Sequence, residues 1–96
     1  MLMITEKRNA KGLTFNLLGA LAGNWAMELE RCWRAAAGES EQLRIFIDLT
    51  EVTHVDETGK RLLALMASAG AELIAGDVLM KSIVEEINGA IQGQLS

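Results

Sequence analysis

The chain has 96 residues, enough for one small domain spanning 1–96 and no more. Half of the residues are hydrophobic and 23% are charged, a balance that excludes a disordered chain. A net charge of −4, from 13 acidic residues against 9 Lys and Arg, excludes nucleic acid as the main partner.

With no proline anywhere, glycine, asparagine and aspartate supply the punctuation. Leu2–Arg8 is loosely patterned with a charged end, as an edge strand is. Asn9-Ala10-Lys11-Gly12 separates it from a stretch in which Leu13, Phe15 and Leu17 alternate with Thr14 and Asn16, the period of a half-buried strand. The two read as a hairpin or as neighbouring strands. After Gly23 the period becomes helical through Trp25, Leu29, Cys32, Trp33 and Ala36, with Glu28, Glu30, Arg31 and Arg34 mainly on the other face. Asn24 is the expected N-cap, and Gly38 the expected stop in a left-handed conformation. Leu43–Leu49 is β-rich and apolar on both faces except at its ends, the pattern of a central strand covered on two sides.

A polar loop is expected from Thr50 to Asp56. Helical spacing resumes with Leu62, Leu65, Met66 and Ala69 and stops at Gly70. A short strand follows from Ala71 to Ala75, ending at Gly76. Asp77 then caps a last helix carrying Leu79, Ile83, Ile87, Ala90 and Ile91 inward, and the tail after Gly93 frays. The order β-β-α-β-α-β-α predicts an α/β fold: a small, mixed, mostly parallel four-stranded sheet with about three helices and right-handed crossovers. Functional loops of such a sheet lie at the carboxyl ends of its strands, and Thr50–Gly59 is one of them.

Ile45-Phe46-Ile47-Asp48-Leu49-Thr50-Glu51-Val52-Thr53-His54-Val55-Asp56-Glu57-Thr58-Gly59 resembles the central signature of the STAS domain family. Asp48-Leu49-Thr50 matches the end of the family's apolar strand, Val52 and Val55 its turn, and Asp56-Glu57-Thr58-Gly59 the segment that opens a helix. The element order fits as well, so the likeness spans nearly the whole chain and implies a SpoIIAA-like fold. It also implies a bacterial regulatory module similar to an anti-sigma factor antagonist, controlling transcription by protein binding. In such antagonists the hydroxyl residue before the glycine, here Thr58, is phosphorylated by an anti-sigma factor with serine/threonine kinase activity. The unmodified form binds that partner and the phosphorylated form is released. The implied contact surface is Asp56, Glu57, Thr58, Gly59 and Lys60. Position 57 departs from the pattern, being Glu where many phosphorylated members carry a small residue. Many members also continue with a further strand or helix beyond the point where Ile91 falls.

Read as chemistry, Thr58 near a helix start meets unpaired N–H groups and a dipole that favour a phosphate. Its added charge of about −1.5 to −2 would change how that surface meets a partner. Gly59 would permit close approach of another backbone. Asp48 and Asp56 read as turn carboxylates bonding nearby N–H groups, not as a catalytic or Mg²⁺-binding pair. His54 is the sole histidine and defines no metal site. Cys32 has no disulfide partner, and a reducing cytoplasm is its natural setting. It reads as a packed thiol, although a neighbouring arginine favours the thiolate. Trp25 and Trp33 read as core anchors of one helix face, and Arg31, Arg34 and Arg44 as solvated surface. The apolar run Leu17–Ala22 is too short to span a bilayer.

Two functions therefore stand side by side. One is the phosphorylation-switched antagonist. The other, also implied by the family, is an accessory subunit that docks on the ATPase of a lipid-trafficking ABC transporter without phosphorylation. No nucleophile–base pair, metal set or cofactor fingerprint is present, so neither an enzyme nor a cofactor is expected. Self-association to a homodimer stays open.

Overall fold

A two-residue turn starts the fold: Asn9 Oδ1 accepts from the backbone N–H groups of Lys11 at 2.8 Å and Gly12 at 3.2 Å. In the computed structural model, which describes residues 1–39, 42–76 and 78–95, this turn joins β1 (Leu2–Asn9) antiparallel to β2 (Gly12–Leu21). Then follow α1 (Asn24–Ala37), β3 (Ile45–Val55), α2 (Glu57–Ser68), β4 (Glu72–Ile74) and α3 (Val78–Leu95). The sheet order is β1-β2-β3-β4, with β2/β3 and β3/β4 parallel, so the mixed, mostly parallel four-stranded sheet and the element order are as the sequence predicts.

Alternation sorts the side chains. Leu13, Phe15 and Leu17 of β2 and Ile45, Ile47 and Leu49 of β3 are buried, whereas Thr14, Asn16, Phe46 and Asp48 are only half-buried. Against the buried face lie Ala26, Leu29, Trp33 and Ala36 of α1, Leu62, Leu63 and Met66 of α2, and Met80 and Ile87 of α3. Helices thus cover one face of the sheet. The apolar run Leu43–Leu49 does not mark a strand covered on both sides: half-buried Phe46 is crossed by the Arg44 guanidinium, 5.2 Å from its ring centroid, in place of a helix.

The expected loop from Thr50 is a strand as far as Val55. Two irregularities in the β2/β3 register explain the misreading, since Leu49 and Thr50 together oppose Leu17, and Thr53 is an extra residue between the Gly19/Val52 and Ala20/His54 pairs. The buried positions then fall at Leu49, Val52 and Val55, a spacing that resembles no strand. Asp48 sits beside the first irregularity, where its Oδ1 accepts from the Thr50 N–H at 2.9 Å and the Thr50 hydroxyl at 2.6 Å.

Several boundaries differ from expectation. Gly23, not Asn24, precedes α1 as its N-cap and offers no side chain. Gly38 does end the helix, but in the right-handed region at φ −73°, because its N–H still bonds back to Arg34. Leu65 points outward on α2, where Leu63 takes the inner position, and Ala69 lies exposed just past the helix end. The strand expected at Ala71–Ala75 shortens to Glu72–Ile74, and α3 continues through Gly93 to Leu95. The expected Asp77 cap and the side chains of Leu79, Ala90 and Ile91 lie outside the described residues. Among the described residues no helix is long and apolar enough to cross a membrane.

Candidate functional site at the paired helix starts

Parallel pairing of β2 with β3 ends at the Leu21/Val55 pair, so the chain leaves both strands at the same edge of the sheet. α1 and α2 therefore begin side by side. The Asp56 carboxylate joins them. Its Oδ1 accepts from the Gly59 N–H of α2 at 2.8 Å, and its Oδ2 from the Gly23 N–H before α1 at 3.0 Å. The Asp56 N–H closes the arrangement on the Leu21 carbonyl at 3.3 Å. Those two N–H bonds, Gly59 first and Gly23 second, hold the Asp56 carboxyl below its ordinary value of 3.8. Asp56 is thus a turn carboxylate, as its sequence context suggests, and it reaches two helices instead of one.

Two glycines make the corner possible. Gly23 has φ +57°, in the left-handed region. Gly59 is buried: a Cβ there would collide with the Leu21 carbonyl oxygen and lie 2.9 Å from Val55 Cγ1. The close backbone approach expected of Gly59 is made inside the chain, so this residue shapes the corner and offers no surface of its own.

The remaining residues of the expected contact surface do face outward. Thr58 is exposed on the first turn of α2, beside exposed Glu57. Lys60 is half-buried with its Nζ 3.9 Å from Glu57 Oε1. Thr58 also lines a groove of about 190 Å³ between α1 and α2, together with Met27, Glu30, Arg61 and Leu65. Met27 is 65% exposed and Leu65 44%, and Trp25, one residue into α1, is 41% exposed. The apolar part of this surface escapes the sequence reading. Trp25 and Trp33 are eight residues apart, which at about 100° per residue leaves them about 80° from each other around the helix. Trp33 packs in the core and Trp25 does not. Arg61, three residues after Thr58, has no carboxylate partner among the described residues, whereas Arg31, Arg34 and Arg44 are paired with Glu28, Glu30 and Glu72.

Other candidates stand apart. His54 is exposed near the end of β3. Cys32 is half-buried, and burial foremost, then Glu28 and Glu6, pushes its thiol above the ordinary value, so the neighbouring arginine does not make it a thiolate. Among the described residues no group of three or more His, Cys, Asp or Glu side chains could hold a metal ion.

No protein-family model matches the chain, and no curated protein matches it. Solved structures do. An uncharacterised protein of the DUF3478 family with a SpoIIAA-like fold, from Shewanella loihica PV-4, aligns over 91% of this chain and 77% of its own at TM-score 0.60 and 18% identity. A crystal structure of Mglu aligns over 76% of this chain at TM-score 0.58 and 18% identity, and a second, of Mglu in its native form, over 76% at TM-score 0.55. This chain spans about a fifth of those Mglu chains, 19% and 22% respectively. The fold is SpoIIAA-like.

Proposed function

We propose that the protein is a regulatory binding module of STAS type, acting as an anti-sigma factor antagonist through the surface around Thr58. The observation that carries this reading is the placement of Thr58: an exposed residue on the first turn of a 12-residue helix, lining a groove with exposed Met27 and Leu65. A partner would bury the apolar side chains, and Thr58 would lie at the rim of the contact. Phosphate at Thr58 would sit near the helix N-terminus and three residues from the Arg61 guanidinium, so the fold would hold it. The partner would then meet a dianion beside Glu57 in place of a hydroxyl. We infer no catalytic role for the chain itself.

The apolar groove and the carboxylate of Glu57 next to Thr58 favour a second reading, docking on the ATPase of an ABC transporter with no phosphate involved. One experiment separates the two. Wild-type, Thr58→Ala and Thr58→Glu proteins serve as affinity baits in lysate of the source organism, with partners identified by mass spectrometry and the bait's intact mass measured. The antagonist reading predicts an anti-sigma factor of ATPase fold held by the wild type and Thr58→Ala but lost at least about tenfold with Thr58→Glu, about 1.4 kcal/mol or more. It also predicts one added phosphate on the wild type alone. An ABC ATPase retained equally by all three supports the second reading, and an anti-sigma factor held equally by Thr58→Glu contradicts the switch.

A further inference from the structure

The other side of α1 presents a different surface. Among the described residues β1 is an edge strand paired only with β2, so alternate N–H and C=O groups along it face away from the sheet. Its two halves differ. From Glu6 onward the edge is charged, and Arg8 reaches over to Glu39 beyond α1 in a two-point ion pair of 2.7 and 2.9 Å. Charges of this kind discourage strand addition. Leu2–Thr5 carries none. Alongside it runs a groove of about 530 Å³ between β1 and α1, lined by Leu2, Ile4, Thr5, Glu6, Glu28 and Cys32. Leu2, Ile4 and Cys32 form an apolar floor, and Glu6 and Glu28 an acidic rim. Arg31 pairs with Glu28, while Glu6 has no ion pair among the described residues. Both carboxylates raise the Cys32 thiol, so their field reaches the floor.

We propose that the Leu2–Thr5 edge of β1 accepts an extended segment of a partner protein as a fifth strand, bearing an apolar residue and, two residues away, a Lys or Arg. Main-chain hydrogen bonds to the free edge supply the pairing. Alternate side chains of the added strand point toward the helices, so the apolar one fills the floor and the basic one reaches Glu6 and Glu28. A second copy of this chain fits less well, because antiparallel self-pairing centred on Ile4 would set another Glu6 against apolar Leu2, and centred on Thr5 would set it against Ile4, diagonal to Glu6.

The test uses the full chain and a labelled heptapeptide, Val-Thr-Lys-Thr-Val-Thr-Lys, in fluorescence anisotropy titrations, with amide hydrogen exchange on the complex. Controls are the same peptide with Glu for Lys, and one N-methylated at alternate backbone positions. The Lys peptide is expected to bind at least about tenfold tighter than the Glu peptide. The Glu6→Gln, Glu28→Gln double variant removes that preference, N-methylation of the pairing edge abolishes binding, and amides of residues 2–5 gain protection. Thr58→Glu leaves the titration unchanged, which separates this site from the groove beside Thr58. Equal binding of the Lys and Glu peptides, no saturable binding, protection away from β1, or protection of β1 by self-association of the chain alone would each overturn the proposal.

Discussion

Asp56 holds the start of both α1 and α2 with a single carboxylate, and its charge strengthens both bonds. Because its folded value is depressed, the stability it contributes is complete above the ordinary carboxyl value of 3.8 and is lost as pH falls below it toward the folded value. Asp56→Asn keeps a side-chain acceptor but cannot titrate. Urea unfolding from pH 6 to pH 3 is expected to show a lower midpoint for Asp56→Asn at pH 6 and a difference that narrows at the acid end; a constant difference would mean the charge is idle. Gly59→Ala tests the same corner sterically. The added Cβ has no room against the Leu21 carbonyl, so a loss of about 1–3 kcal/mol is expected in chemical denaturation. Gly89→Ala, in open space within α3, is the control and should gain up to about 1 kcal/mol.

At the scale of elements, legibility in the sequence followed periodicity. β2 reads directly, since Leu13, Phe15 and Leu17 alternate without interruption and are all buried. The second half of β3 does not, because its two register irregularities place inward residues at Leu49, Val52 and Val55. A bulge is a property of two strands and cannot be seen in one. The start of α2 was legible through its motif, with Asp56 read as a turn carboxylate bonding nearby N–H groups, whereas the start of α1 was not, because at Gly23 backbone alone decides. Of the candidate surface, Glu57, Thr58 and Lys60 were readable from their motif, whereas Met27, Arg61 and Leu65 belong to it only because two helices start together. The tryptophans make this measurable. Trp33→Ala is expected to cost about 3–5 kcal/mol in urea unfolding and Trp25→Ala about 1 kcal/mol or less. Equal losses would mean that both anchor the core.

Across the whole molecule, the parallel β2/β3 pair gathers the two helix starts at one edge, and α1 divides the surface beyond. On one side lies the groove with Thr58, on the other the free edge of β1. Each would offer a partner something different: exposed apolar side chains beside the exposed Thr58 hydroxyl, or main-chain hydrogen bonds beside an acidic rim. The proposed regulated contact is assigned to the first. Amide hydrogen exchange of the protein in complex with the anti-sigma factor that the proposal predicts addresses that assignment most directly. Protection concentrated in residues 25–30 and 57–65, and absent when Thr58 carries phosphate, is the predicted result. A footprint confined to β1 or to the uncovered face of the sheet, or one indifferent to phosphate, would contradict it.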